Sequence, residues 1–389
     1  MDWIMIYVVF DLKDILFQGR GWERYGVDLL DELLDHEDLR IDYVVENYSR
    51  ARRYYPSLFR RKDTEVLEIS FLTDGTERLS HPFIDAHDLY HSLKDFPEFH
   101  TIRAQLITSV HDISFTFLAS YREASFVHLM SENLKYVLNH SDGMISFTRV
   151  TQDRLQAHAA RHGLKKEGQQ FFTIPHGIHS RFKSQSAGNV KQLLKRLAIH
   201  KPFILHLGGL EPDKNAECLI RVFEEDSYLM DNYLLVFAGP VYGESLALVE
   251  RINAQNVPWM CHVGFLNNED LPPLYAGAEL YVSASLDEGF GYCPLEALAC
   301  GTPVLCSDIP CFREVLQDAA AYFDPRDVND LIRNLNELLR NRSLRDQKLE
   351  VGRERLKGLC WKETARRTVQ AYEKVLEIRQ ATDKVCLTS

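Results

Sequence analysis

Short apolar runs alternate with longer amphipathic segments along most of the chain. This alternation is typical of β-α-β units, in which parallel strands are joined by helices that cover the sheet. A polar stretch at 183–201 interrupts the pattern, and a second series of runs follows it. We therefore predict two α/β domains. The predicted strands lie at 4–10, 66–71, 106–110, 143–147 and 171–174, and in the runs that begin at 203, 233, 279, 302 and 320.

Each predicted domain is Rossmann-like, with its ligands expected beyond the carboxyl ends of the parallel strands. We place the N-terminal domain at 1–185, the C-terminal domain at 186–360, and a C-terminal helix with a tail at 361–389. Helical segments are predicted at 328–339 and 361–380. Two such domains in tandem leave a cleft between them, where we expect the chemistry to occur.

The composition excludes several classes of protein. A formal net charge of -11 argues against nucleic acid as a partner, because such binding depends on many Lys and Arg contacts to phosphate. No apolar run approaches the length of a membrane span, and the first run has no basic region before it. The eight cysteines contain no C-x-x-C pair, which suits a reducing compartment. The expected location is therefore the cytoplasm.

The segment EGFGYCPLE, at 288–296, follows a predicted strand and opens a predicted helix. Gly289 and Gly291 lie where the backbone must turn tightly, and the amides at a helix start attract anions. Glu288 can reach a sugar hydroxyl from the loop, and Glu296 can accept hydrogen bonds from a diol such as a ribose. By itself the segment would equally suit a glycine-rich turn with a surface glutamate.

The longer segment 264–316 resembles the donor domain of retaining glycosyltransferases of the GT-B fold, the group called family four. Glu288 and Glu296 match the family's E-x7-E motif, with seven residues between them. The resemblance implies that Glu296 binds the ribose of a nucleotide-sugar donor. It also implies that Glu288 and the backbone of Gly289, Phe290 and Gly291 face the donor sugar, and that Gly264 and Phe265 lie against the base. The closing helix of such proteins returns to the N-terminal domain, which the segment at 360–376 resembles.

A second segment, LGGLEPDKN at 207–215, follows the first strand of the second domain. Related proteins usually have Gly-Arg here, followed by a lysine, and the two cations hold the donor diphosphate. Lys214 matches the lysine and Gly208 the glycine, whereas Gly209 occupies the arginine position. The resemblance therefore implies donor binding by this loop with only half of the usual pair of cations. A solvated lysine in a loop is the alternative.

In the first domain, His111 follows a predicted strand in ITSVHDIS. Similarity to the family's His-Asp segment implies hydrogen bonding between His111 and the transferred sugar. Together with the two segments above, the resemblance predicts catalytic roles for His111, Lys214 and Glu288. A structural histidine is the alternative. The opening loop FQGRGWERYG is similar to the family's glycine-rich loop, in which Gly19 and Gly21 would approach the donor phosphate or the acceptor.

A basic segment at 49–62 contrasts with the acidic chain, because aromatic residues are interspersed with six cations: Arg50, Arg52, Arg53, Arg60, Arg61 and Lys62. This composition suits peripheral contact with an anionic membrane surface, here the inner face of the cell membrane, or with a lipid-phosphate acceptor. A solvated loop or helix face is the alternative.

The sequence has no D-x-D motif, which predicts transfer without a metal ion or other cofactor. The resemblance implies retaining transfer of a hexose-type sugar to a saccharide, a lipid-linked saccharide or another glycoconjugate in the synthesis of bacterial surface polysaccharide. Three alternatives stay open. These are a nucleotide-sugar epimerase or hydrolase of the same fold, a sugar phosphorylase, and a non-catalytic partner subunit that binds sugar nucleotides.

Overall fold

The computed structural model describes residues 5–13, 21–69, 80–241, 243–255 and 257–388. The chain divides into two compact units. Unit 1 comprises Met1–Ala119, Glu123–Gly177 and Cys360–Ser389, and unit 2 comprises Ser120–Arg122 and Ile178–Leu359.

In unit 1, the described strands form one parallel sheet with the order β3-β2-β1-β4-β5-β6-β7. The interior strand β1 is almost entirely buried, as expected for a parallel sheet that is covered on both faces. The strands are β1 (Ile6–Asp11), β2 (Leu39–Val45), β3 (Val66–Glu68), β4 (Leu89–Ser92), β5 (Gln105–Val110), β6 (Gly143–Ser146) and β7 (Gln170–Thr173).

Helix α5 (Arg149–His162) has a side-chain cap at its start and a glycine at its end. At the start of α5, the Thr148 side chain accepts a hydrogen bond from Thr151 N, and Gly163 ends the helix with a φ of 62°. The helices before the second unit are α1 (Gly21–Leu33), α2 (Tyr48–Tyr54), α3 (Pro82–Asp85), α4 (Ala124–His140) and α5 (Arg149–His162).

Unit 2 contains a second parallel sheet with the order β10-β9-β8-β11-β12-β13. Because the order reverses next to β8, the loops after β8 and β11 leave the carboxyl edge side by side, the usual ligand position in such a sheet. The strands are β8 (Phe203–Leu207), β9 (Leu234–Ala238), β10 (Met260–His262), β11 (Leu280–Ser283), β12 (Val304–Ser307) and β13 (Ala321–Phe323).

The helices of unit 2 cover this sheet and bury a core of aliphatic and aromatic side chains. They are α6 (Ala187–Arg196), α7 (Ala216–Glu225), α8 (Ser227–Asn232), α9 (Gly243–Gln255), α10 (Leu271–Gly277), α11 (Tyr292–Cys300), α12 (Pro310–Leu316), α13 (Val328–Arg340) and α14 (Arg342–Leu356).

The last helix, α15 (Trp361–Thr388), belongs to unit 1. The hydroxyl of Tyr372 lies 2.7 Å from His91 Nδ1, and both side chains are fully buried. At Gly177, an added Cβ would lie 2.2 Å from Trp361 N, so the chain passes α15 too closely for any side chain. The predicted return of the C-terminal helix to the N-terminal unit is therefore confirmed.

The structure differs from the sequence prediction in some strands. Strands β2, β4 and β10 were not predicted, and the run predicted as a strand at 66–71 is a strand only at Val66–Glu68. Its end, residues 70–71, lies outside the described residues. Within the described part of the chain, no helix has both the length and the apolar character of a transmembrane span.

Candidate functional site

Three glycines lie side by side at the carboxyl edge of the unit 2 sheet, directly after or near the ends of β8, β9 and β10. Gly208 N donates to Ala238 O (2.9 Å), and Gly239 N donates to Gly264 O (3.0 Å). Their φ angles are 146°, 143° and 78° for Gly208, Gly239 and Gly264, a region that favours glycine. Gly208 and Gly264 were predicted as donor-binding residues from the sequence, whereas Gly239 was not.

At Gly239 the backbone packs directly on backbone, because an added Cβ would lie 2.0 Å from Gly208 O. Gly208 and Gly264 have no atom within 4 Å of an added Cβ. These two positions therefore have the open space that a ligand needs in order to approach the main chain.

Lys214 and Glu288 come from different loops and meet at this edge. Lys214 Nζ donates to Glu288 Oε1 at 2.8 Å, and Ser285 Oγ donates to the same oxygen at 2.8 Å. Both charged side chains are about one quarter exposed, at 24% each. Two of the three residues predicted as catalytic are thus in direct contact, across 74 positions of sequence.

The predicted glycine-rich turn leads into α11. Gly291 is the N-cap of this helix, with a φ of 94°, and it provides no side-chain cap for the first-turn amides. An added Cβ there would lie 2.7 Å from Phe312 Cε1. Gly289 is buried, and Phe290 is 5% exposed with its ring against Tyr292, which leaves the backbone of the turn as the part suited to donor contact.

Glu296 is fully buried on α11, and its Oε2 accepts a hydrogen bond from Tyr275 OH at 2.9 Å. The Tyr275 ring lies 5.9 Å from that of Tyr281, whose hydroxyl donates to Leu207 O at the end of β8 (3.3 Å). Tyr275 and Tyr281 therefore connect Glu296 to the loop of Lys214. Neither tyrosine was selected from the sequence, since nothing in its spacing pairs either with a carboxylate.

Two further residues that were predicted to bind the nucleotide-sugar donor, Phe265 and Gly209, differ in the space around them. Phe265, which follows Gly264, is 59% exposed, so its ring is available for stacking on a ligand. At Gly209, an added Cβ would lie 2.0 Å from Glu211 Oε2, so the carboxylate of Glu211 occupies the space that an arginine would use.

Burial lowers the pKa of His206, on β8, to about 4, and nearby Lys214 also contributes to this lowering. The unfolded chain binds this proton at its ordinary pKa near 6.5, so stability is lost as pH falls from about 6.5 to 4. We expect His206 to contribute about 3 kcal/mol of this loss by pH 4. Denaturant unfolding at pH 7, 5.5 and 4 should show a weaker pH dependence in H206N than in the wild type; equal dependence would contradict the assignment.

In unit 1, His111 lies at the end of β5, partly buried against the rings of Tyr25 and Phe147, with centroids at 5.4 and 4.8 Å. Its Nε2 donates to Leu93 O (2.9 Å), and its backbone N donates to Asp95 Oδ1 (2.6 Å). Burial lowers the pKa of His111 to about 4. The ring is therefore neutral at pH 7, with Nδ1 as an acceptor, which suits a sugar hydroxyl and disfavours a cationic role.

The other predicted residues of unit 1 belong to the glycine-rich opening loop and to the basic segment at 49–62, of which only Arg50, Arg52 and Arg53 lie on α2. Gly21 is exposed at the first position of α1, whereas Gly19 lies outside the described residues. In the basic segment, Arg60 pairs with Asp31 at 2.8 Å, and the Arg61 guanidinium donates to Leu39 O, so these two cations stabilise the fold. The remaining cations, Arg50, Arg52, Arg53 and Lys62, are exposed.

Residues 191–355 match the family model described as Glycosyl transferases group 1. This segment includes Lys214, Glu288 and Glu296, and its sheet brings the first two into contact. The segment 191–355 is therefore similar to the glycosyl transferases group 1 family.

Similar proteins support the same family and fold. O-antigen chain mannosyltransferase B of Escherichia coli is 27% identical, over 94% of this chain and 99% of that protein. Serotype-specific mannosyltransferase WbdA of Escherichia coli is 28% identical over 68% of this chain but only 31% of that protein. HepE of Anabaena, solved with UDP and glucose, has a TM-score of 0.71 and 14% identity, covering 95% of this chain and 99% of that structure. The two Rossmann-like units of the chain thus have the GT-B fold, as predicted.

Proposed function

We propose that this protein is a retaining, metal-independent glycosyltransferase that moves a hexose from a nucleotide diphosphate sugar to a saccharide or glycoconjugate acceptor. We propose bacterial surface polysaccharide as the product, and mannose as the first sugar to test, because similar proteins are O-antigen mannosyltransferases. The contact between Lys214 Nζ and Glu288 Oε1 carries the proposal, since it joins a cation for phosphate to a carboxylate for sugar hydroxyls.

The role proposed for Lys214 is to offset the negative charge that develops on the leaving diphosphate. A preorganised cation in a partly desolvated site stabilises such charge more than water does. The amides at the start of α11 add a partial positive charge at the same sheet edge. Glu288 would orient the sugar through its hydroxyls, with Ser285 holding the carboxylate in place.

The nucleoside is proposed to bind beside the phosphates. The exposed ring of Phe265 suits stacking on the base. The open space beside Gly264, which has no side chain, lets the ligand approach the main chain closely. Glu296 is proposed as the acceptor for the ribose hydroxyls, with Tyr275 orienting its carboxylate.

The reaction proposed is front-face transfer, in which the leaving diphosphate takes the proton of the acceptor hydroxyl. The bond from the anomeric carbon to the phosphate oxygen breaks as the bond to the acceptor oxygen forms on the same face. The chain then acts through positioning and charge stabilisation rather than through a covalent intermediate.

The proposal is tested by incubating the protein with GDP-mannose, UDP-glucose and dTDP-sugars, with oligosaccharide acceptors, in the presence of EDTA. Proton NMR of the product should show the anomeric configuration of the donor. Inversion, or a requirement for divalent metal, would contradict the mechanism. Donor consumption without acceptor would favour an epimerase or hydrolase, and donor binding without turnover on any acceptor would favour a partner subunit.

Replacing Glu296 by alanine is expected to raise the Kd for the donor nucleotide about tenfold, because a charge-assisted hydrogen bond to ribose is lost. The variant Y275F keeps the carboxylate and removes only its donor, so its effect should be smaller. Isothermal titration with GDP and UDP measures both. Equal affinity for E296A and the wild type would remove Glu296 from the site.

The exposed cations of α2 are expected to bind anionic membranes. Replacing Arg50, Arg52 and Arg53 by glutamine should lower the fraction bound to phosphatidylglycerol vesicles, since each cation contributes about 1 kcal/mol near such a surface. Arg60 and Arg61 are kept because they support the fold. Co-sedimentation measures the effect. The control removes as many exposed charges elsewhere, at Arg333, Arg342 and Arg353; an equal loss in both variants would contradict a specific surface.

A further inference from the structure

Arg122 lies in a short segment, Ser120–Arg122, that belongs to unit 2 although the chain on both sides of it belongs to unit 1. Its Nη2 donates to Asp213 Oδ2 at 2.9 Å, with 22% of the arginine side chain and 5% of the aspartate side chain exposed. Asp213 immediately precedes Lys214, whose Nζ is 4.0 Å from the same carboxylate oxygen. Arg122 and Lys214 therefore share one buried carboxylate.

These contacts form a row of alternating charges, from Arg122 through Asp213 and Lys214 to Glu288. Without Arg122, one lysine would face two carboxylates, and the net negative charge would repel a diphosphate. With Arg122 the four groups are neutral before the donor binds. A guanidinium also has five N–H donors in a fixed fork, which allows it to contact a carboxylate and a phosphate together.

The chain lacks the arginine that related glycosyltransferases carry at the position of Gly209, and Glu211 occupies the space beside that glycine. We propose that Arg122 replaces it, as the second cation that binds the donor diphosphate. This inference rests on the proposed function. It assigns a donor contact to a residue 91 positions before its ion-pair partner in the chain.

The test is isothermal titration of the full chain with GDP and UDP, using the nucleotide that binds the wild type. R122M is expected to raise its Kd about tenfold, the effect of losing one partly desolvated cation, whereas R122K keeps the charge and should stay within about threefold. The matched control is R196M, which breaks the ion pair of Arg196 with Asp270 (2.6 Å) on α6.

A rescue variant makes the assignment specific to phosphate binding. In R122M/G209R, the arginine returns to the position used by relatives, where the nearest atoms to an added Cβ belong to the flexible end of the Glu211 side chain. We expect this variant to recover affinity to within about threefold of the wild type. A purely structural role of Arg122 would not be restored from position 209.

Two results would overturn the inference. Unchanged affinity in R122M would exclude a donor contact. Full recovery in R122M/D213N would mean that Arg122 only neutralises Asp213. If R122M does not fold, D213N replaces it: affinity at least equal to the wild type supports the proposal, and weakened affinity overturns it. Failure of the wild type to bind any nucleoside diphosphate would instead overturn the proposed function.

Discussion

The variant K214M is expected to lower kcat/KM for glycosyl transfer by about 10²–10³-fold, the usual effect of removing one preorganised group that stabilises transition-state charge. Lys214 Nζ is held by Glu288 at 2.8 Å and is only 24% exposed, so little reorganisation is needed when charge develops on the diphosphate. Most of the loss should appear in kcat, because the charge that Lys214 offsets is larger in the transition state than in the bound donor.

The measurement is steady-state kinetics with the donor and acceptor identified for the wild type. The control is K201M, which removes an exposed lysine whose Nζ donates to Asp231 O at 3.3 Å on the surface. If K214M raises only KM, Lys214 binds the ground state as tightly as the transition state and is not catalytic. Turnover at the wild-type rate would remove it from the site altogether.

The variant G239A is expected to destabilise the protein by about 3 kcal/mol or more, because an added Cβ would lie 2.0 Å from the carbonyl oxygen of Gly208. The φ of 143° adds strain for any residue with a side chain. To relieve the clash, Gly208 must move, which would lengthen the hydrogen bond from its N to Ala238 O. Gly208 lies on the loop that leads to Lys214.

Denaturant unfolding measures the effect, and donor titration of the folded fraction tests whether the loop has moved. The matched control is G188A on α6, where the nearest atom to an added Cβ is Ser186 Oγ at 3.8 Å. Alanine in an exposed helix should be neutral or stabilising by about 0.5–1 kcal/mol. Equal stability of G239A and the wild type would mean that the backbone packing at Gly239 is not constraining.

The fold was predicted well where strands are uniformly apolar. Strands β8, β9 and β11 lie where the apolar runs placed them, because residues buried on both faces of a parallel sheet leave a continuous hydrophobic signal. Strand β2 was missed because it carries Arg40 and Asp42. Asp42 is buried, and its partner His87, at 2.9 Å, lies 45 positions later in the chain, so no local pattern marks this carboxylate as interior.

The candidate site was predicted only in part, for a related reason. Glycine and glutamate motifs near strand ends are visible along the chain, and they indicated Lys214, Glu288 and Glu296. Arg122 and Tyr275 were not predicted from the sequence. Their hydrogen-bond partners, Asp213 and Glu296, are distant in the chain and are brought near only by the tertiary structure. The roles assigned to these residues, and to His111, stay predictions until donor binding and kinetics are measured.

The return of α15 to unit 1 has a consequence for the order of folding during synthesis. Unit 2 is nearly continuous in sequence, whereas unit 1 is completed by a helix that follows all of unit 2 in the chain. Unit 1 is synthesised first, but among the described residues His91 has only Ser109 as its hydrogen-bond partner until Tyr372 is in place. The sheet that is synthesised first is therefore the last to be covered, and a chain truncated before α15 would expose the aromatic rings that Trp361 and Tyr372 contact.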